Sequence, residues 1–312
     1  MRRVGGGVAV MALTAGAVAG TLVVPPPAGA AGGVAAAGKV AAVGAENQYA
    51  DVVAQIGGPY VAVTAVMSNP NTDPHTFESS PKVAAAVGQA DLVVQNGLGY
   101  DDFMTKIEQA APDSRRRVVD VQHLLGLPDS TANPHLWYKP TTMPAVARAV
   151  GTALSALQPA HRAYFRSRVA AFVASLQPWY RAIAALKAAY PAAPVATTEP
   201  VADYLLTAAG LDDKTPFAFQ ADVMNGVDPS PQDVSRERAL FAGRKVRAFV
   251  YNQQVTDPLT QSLLALAHQH HIPVVGVYET MPTPGYHYQS WMLAEVRALS
   301  AAVGHGRSSP KL

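Results

Sequence analysis

Cysteine is absent from the 312 residues, and that single absence removes several chemistries. A chain without thiols builds no disulfide framework, no Cys-ligated zinc or iron–sulfur site and no thiol nucleophile, and it carries no cysteine for lipidation. Any metal must therefore sit on nitrogen and oxygen. Charge is also scarce, at 15% of residues. Two of the 24 basic residues, Arg2 and Arg3, precede residue 30, where no acid occurs, leaving 22 basic against 22 acidic side chains in the remainder. A balanced body argues against nucleic acid as a partner, because phosphate binding needs a basic surface. The familiar enzyme signatures are missing too: there is no HExxH, no G-x-S-x-G, no P-loop and no G-x-G-x-x-G opening a helix.

What is present begins with an export signal. Arg2 and Arg3 lead into an apolar Ala/Gly-rich run from Val8 to Val24, then Pro25–Pro27 and Ala28-Gly29-Ala30. This is the charged, apolar, A-x-A order of a secretory signal, so residues 1–30 are expected to be removed after Ala30. The competing reading is a membrane anchor, for which a run this short and rich in Gly and Ala lies at the lower edge. No second hydrophobic span follows, so the body is expected outside the cytoplasmic membrane.

From Gly38 onward short apolar runs alternate with helical stretches, as βα units do. Strands are expected at Lys39–Val43, Val61–Met67, Leu92–Gln95, Val118–Val121, Val195–Thr198, Ala248–Tyr251 and Pro273–Val277. Helices are expected at Ala50–Ile56, Pro81–Val87, Phe103–Ala110, Val201–Ala209, Pro231–Ala239 and Leu259–His270. Strands separated by helices imply parallel sheets with right-handed connections, hence two α/β lobes. Between Thr141 and Tyr190 strand signals vanish and apolar residues recur at helical spacing, among them Phe165, Phe172, Leu176, Ile183 and Leu186. A helix from Pro159 to Tyr190 would span roughly 45–50 Å and act as a strut, with Pro178 expected to kink it midway. The expected organisation is a lobe over 31–157, a linking helix over 158–190, a lobe over 191–304 and a disordered tail over 305–312.

Two histidines share a setting. His75, in Asp73-Pro74-His75-Thr76-Phe77-Glu78, and His135, in Asn133-Pro134-His135-Leu136-Trp137, each follow a strand and precede a helix, where open α/β sheets present ligand groups. The second half offers two carboxylates in matching places: Glu199, where the run Ala196-Thr197-Thr198 ends, and Glu279, after the final strand. The plain alternative for both is a helix N-terminal acid favoured by the macrodipole. Two imidazoles and two carboxylates converging on one cleft form a cage suited to Zn²⁺ or Mn²⁺, and four protein donors close the shell, which favours binding over catalysis. His268, His270 and His271 cluster at a helix end and fit an electrostatic role there; His123, His161, His287 and His305 lack paired context. Tyr286, Tyr288 and Trp291 read as packing.

These residues resemble the substrate-binding proteins of bacterial zinc and manganese ABC transporters. Asp73–Glu78 is similar to the family's D-P-H-x-[FY]-E, the run Ala90-Asp91-Leu92-Val93-Val94-Gln95-Asn96-Gly97 to its A-D-L-[VI]-x-x-N-G, and Asn133–Trp137 to its [ND]-P-H-x-W; the likeness extends from about Val40 to Leu299. The resemblance implies two lobes on one rigid backbone helix, with His75 and His135 as the first two ligands, Glu199 at the third position and Glu279 at the fourth. There Glu279-Thr280 replaces the family's usual Asp-Ser. The His/Asp/Glu-rich loop of many zinc-specific members is absent, since only His123 and Asp129 lie between Val121 and Asn133. The implied function is capture of a divalent transition metal, zinc favoured by the Irving–Williams order and manganese accepted by the two carboxylates. The implied partners are an ABC permease and its ATPase, and a monomer is expected. Without a lipidated cysteine, the protein either diffuses in a periplasm-like space or at the cell surface, or is held by an uncleaved N-terminal segment. Two other readings remain open from sequence: a secreted metal-dependent hydrolase with Glu199 or Glu279 as general base, and a metal-binding adhesin or sequestering protein without a transporter.

Overall fold

In the computed structural model the described residues are 6–11 and 38–312 apart from Thr72 and Thr283. The expected export signal therefore lies, apart from residues 6–11, outside the described residues, and among those described no helix is long and apolar enough to cross a membrane. From Gly38 onward the chain forms one unit.

The first lobe comprises β1 (Val40–Glu46), α1 (Asn47–Gly57), β2 (Val61–Met67), α2 (Pro81–Gly88), β3 (Leu92–Gln95), α3 (Asp102–Ala110), β4 (Arg117–Asp120), α4 (Val121–Leu124) and α5 (Thr142–Leu157). After α6 (Arg162–Ser175) and α7 (Gln177–Ala189) comes the second lobe: β5 (Pro194–Thr197), α8 (Asp203–Ala208), β6 (Asp212–Asp213), α9 (Phe217–Met224), α10 (Pro231–Ala242), β7 (Ala248–Asn252), α11 (Pro258–Gln269), β8 (Val274–Val277) and α12 (Tyr288–His305). All strand pairs are parallel, in the orders β2-β1-β3-β4 and β6-β5-β7-β8. Repeating one order in both lobes puts the carboxyl ends of each sheet along a matching edge, where such sheets hold ligands.

Sequence pattern accounts for the strands that form. β3, β7 and β8 are buried along their whole length, and a parallel strand covered on both faces reads as an unbroken apolar run. Edge strand β2 instead alternates in burial. Helix starts are equally local: Ser80 and Ser230 accept backbone N–H groups at the heads of α2 and α10, each followed by proline, and Asp257 with Thr260 forms a capping box on α11. Such caps stabilise a helix start by about 1 kcal/mol. Gly44 allows α1 to lie close over β1, since a Cβ there would fall 2.5 Å from the Ala50 backbone nitrogen.

The linking helix is long but bent. A 3₁₀ turn over Pro159–His161 precedes α6, and α7 starts after Leu176 with Pro178 in its first turn. That position suits proline, whose missing N–H would have no intrahelical partner there. The bend divides the labour: α6 packs on α1 and α5, whereas α7 packs on α12, with the Trp179 and Tyr288 rings 6.0 Å apart.

The tail expected to be disordered is instead paired. Ser309 donates its N–H to the Val274 carbonyl at 2.8 Å and accepts from the Gly276 N–H at 2.9 Å, while Ser308 Oγ accepts from the Val274 N–H at 3.1 Å. The open edge of β8 has unpaired backbone groups that the tail satisfies, and a Cβ at Gly276 would strike the Pro310 carbonyl.

Candidate metal centre

His75, Glu199 and Glu279 lie in the loops that follow β2, β5 and β8, whereas His135, expected directly after a strand, follows α4 instead. After β2, Asp73 Oδ1 accepts the His75 N–H at 2.8 Å and closes a turn that continues as a 3₁₀ turn over Pro74–Thr76. This holds His75 at the mouth, its side chain 22% exposed. His135 lies in the loop between α4 and α5, fully buried. Asn133 Oδ1 accepts both its backbone N–H, at 3.0 Å, and ring Nδ1, at 2.8 Å. The Asn133 amide orientation is itself fixed, because its Nδ2 donates to the Pro200 carbonyl at 2.6 Å.

Glu279, two residues past β8, is the hub. Its Oε2 lies 3.1 Å from His75 Nε2 and 3.2 Å from His135 Nε2, and accepts the Tyr100 hydroxyl at 3.0 Å. Its Oε1 accepts from Asn252 Nδ2 at 2.8 Å. Gln254 Oε1 accepts the Glu279 N–H at 2.6 Å, and Gln48 Nε2 donates to its carbonyl at 3.1 Å. One donor atom each from His75, His135 and Glu279 lies within 4.8 Å of the others, the one such group found among the described residues. Glu199, 2% exposed after β5, stands beside that trio and not within it. It shares a donor with Glu279: Asn252 Nδ2 lies 3.2 Å from both Glu199 oxygens.

Electrostatics follow from burial and this shared hub. Burial lowers the pKa of His135 despite the Glu279 contact, favouring the neutral ring. Burial opposes protonation of His75 as well, but its hydrogen bond to Glu279 and the charges of Glu279 and Asp73 raise its pKa. For Glu279 burial is outweighed by the two imidazoles, which hold it well below the usual carboxylate range. Glu199 is raised by burial and then by the Glu279 charge.

The tautomer assigned to His135 from the Asn133 bond has its proton on Nδ1. Its Nε2 then points a lone pair at a carboxylate oxygen 3.2 Å away. Two lone pairs face one another at that distance only if a cation or proton lies between them, which is the geometry of a metal-ligating histidine oriented from behind. Beside the trio, Met67, Asn69, Asp73, Phe77 and Thr280 line a depression of about 250 Å³.

The remaining histidines have other occupations. His123 contacts Asp120 at 3.0 Å, His161 stacks on Tyr60 at 3.8 Å, and His287 contacts Asp51 at 2.7 Å while capping α12. His268 and His270 lie at the end of α11. Sequence reasoning missed Asn252, Gln254 and the hydroxyl of Tyr100. The available signal was positional: Asn252 is the polar residue that ends the buried run Ala248-Phe249-Val250-Tyr251, level with the other site residues.

Comparison with known proteins bears on the fold and the family. The chain is 28% identical over 143 residues to the zinc-binding protein TroA of Treponema pallidum (strain Nichols), across 44% of this chain and 46% of that protein. It is 27% identical over 137 residues to the manganese-binding lipoprotein MntA of Bacillus subtilis (strain 168), across 42% and 44%. The chain spans less than two thirds of the length of the curated relatives it matches. The solved structure of the periplasmic zinc binding protein TroA superimposes over 85% of this chain and 99% of its own, with a TM-score of 0.72 at 22% identity, so the two share a fold. The family model described as zinc-uptake complex component A, periplasmic, matches residues 43–302. With that match spanning most of the sequence and both lobes, the chain belongs to the zinc-uptake complex component A family.

Proposed function

We propose that this protein captures a divalent transition-metal ion outside the cytoplasmic membrane and hands it to an ABC permease driven by an ATPase. The observation that supports it most is the convergence of His75 Nε2, His135 Nε2 and the Glu279 carboxylate within 4.8 Å. In this reading those three ligate the ion and Glu199 supplies a fourth donor, its proton leaving as the metal arrives. Asn252 tethers both carboxylates and Asn133 orients His135. Zinc is the favoured cargo by the Irving–Williams order, and two oxygen donors also accommodate manganese. The relatives named as zinc-binding and manganese-binding proteins fit either choice.

Membership of an uptake-complex family places the chain among binding components rather than enzymes, so the hydrolase reading is not favoured. The protein works as a monomer, either free in a periplasm-like space or tethered by residues 1–30. Residues 31–157 and 191–304 act as the two lobes on the bent helix of 158–190. Because the ligands must be deprotonated, affinity falls as pH drops through the imidazole range.

The test is a melting experiment on metal-free protein with added zinc or manganese. Metal is expected to raise the melting temperature of the wild type and to leave the His75→Ala, His135→Ala double variant unmoved. Equal shifts in both proteins would remove these ligands from the account. Uptake of the same metal into vesicles bearing the candidate permease, dependent on added receptor, tests delivery.

A further inference from the structure

The balanced charge of the body conceals an uneven distribution. Between Asp129 and Glu199 no acidic residue occurs, whereas seven Lys or Arg do: Lys139, Arg148, Arg162, Arg166, Arg168, Arg181 and Lys187. This stretch forms α5, the turn after it, α6 and α7.

Along it, α5 and α6 enclose a groove of about 1040 Å³ that shares no lining residue with the metal centre. Its walls are small and apolar, with Gly151 on α5 facing Val169, Ala170 and Val173 on α6. The two helices approach closely, since a Cβ at Gly151 would fall 2.5 Å from Val169 Cγ2. Ser155 leaves no free donor, because its hydroxyl is given to the Gly151 carbonyl at 2.6 Å. The rim is cationic. Arg162 and Arg166 stand at the end nearest the α5–α6 turn and Arg148 towards the other, exposed and, among the described residues, without a carboxylate partner. From Arg162 to Ala174 the groove runs about 18 Å along α6.

A second observation comes from the chain's entry point. The carbonyl of Gly38, where the described body begins, accepts a hydrogen bond from Gln158 Nε2 at 2.7 Å. Gln158 closes α5 and lies directly before the turn that leads into Arg162, the first residue of α6. Gly38, the first residue of the body, is therefore held beside the cationic end of this groove.

We propose that this face docks on a bilayer containing anionic phospholipid, with Arg148, Arg162 and Arg166 on lipid phosphates and the apolar strip against the glycerol and upper acyl region. Arg suits phosphate through its planar fork of donors, and an apolar stripe flanked by Arg is the pattern of interfacial helices. A second copy of the chain would bring like charge to like charge. The chain's own N-terminal run carries Arg2 and Arg3 without an acid, so it offers this rim no counter-charge.

Flotation of the full chain with vesicles tests the proposal, comparing equimolar phosphatidylglycerol and phosphatidylcholine with phosphatidylcholine alone. The wild type should prefer the anionic vesicles and lose that preference in molar salt. The Arg148→Gln, Arg162→Gln, Arg166→Gln triple variant should bind them about a hundredfold more weakly, at roughly fivefold per cation, with its metal binding and melting temperature unchanged. Ala170→Glu, at an exposed position, should weaken binding in the same assay. Equal partition of wild type and triple variant, equal partition between the two vesicle types, or no binding to anionic vesicles would each overturn the assignment. A vesicle-independent dimer broken by Ala170→Glu would give the face to a second copy instead.

Discussion

His135 owes its role to Asn133 as much as to its own burial. The amide of Asn133 takes the Nδ1 proton on one side and ties to the Pro200 carbonyl on the other, so one residue sets both the tautomer and the stance of the opposite lobe. Asn133→Ala should therefore weaken metal binding by about 10–100-fold, as loss of such outer partners does, read by competitive titration against a chelator. A second residue-scale prediction concerns Glu295, fully buried on α12 and accepting from Trp291 Nε1 at 3.0 Å. Burial pushes its pKa to about 8. A carboxyl whose folded pKa exceeds its unfolded value contributes stability at low pH that is lost as pH rises through the interval. Unfolding free energy should accordingly fall by roughly 3 kcal/mol between pH 5 and pH 8 from this group, and Glu295→Gln should flatten that slope in denaturant titrations. The two histidines were legible in sequence because each stands in a Pro-His pair within a loop, although His135 follows α4 rather than a strand. Asn252 was not, because its bond to Glu199 joins residues 53 apart and exists only once β5 and β7 pair.

Elements were legible where burial left a long or sharply capped pattern. The strands β2 and β3 appear at the bounds read from sequence, and Pro178 marked the bend between α6 and α7. β6 was invisible because its two residues, Asp212 and Asp213, carry no apolar signal; α12 was overlooked because its aromatic residues read only as packing. The 305–312 tail was misjudged because its order comes from backbone pairing with β8, which composition does not reveal. Helix contacts give a test at this scale. Gly151→Val would push α5 off α6 at the Val169 contact and should destabilise the fold by about 1–3 kcal/mol, as overpacking does, with the metal site unchanged at temperatures below melting.

Across the whole molecule, the candidate metal centre is also the place where the lobes are tied. Asn47, at the head of α1, exchanges two hydrogen bonds of 2.8 Å with the Met281 backbone. Tyr138 donates to the Tyr278 carbonyl at 2.9 Å, and Tyr204 donates to the Asn133 carbonyl at 3.0 Å. On the proposed reading, a ligand loop anchored from both sides is held in place before metal arrives, so binding would expend little free energy on ordering it. Asn47→Ala should cost about 1–3 kcal/mol through the backbone groups left unpaired, and should speed metal release in stopped-flow chelation more than it slows capture. On the proposed reading one ion sits on His75, His135 and Glu279, and anomalous scattering at the zinc edge from crystals of the metal-loaded chain locates it. A single peak is expected about 2.0–2.2 Å from both Nε2 atoms and from a Glu279 oxygen; a peak elsewhere, with these three side chains still in contact with one another, would refute this site.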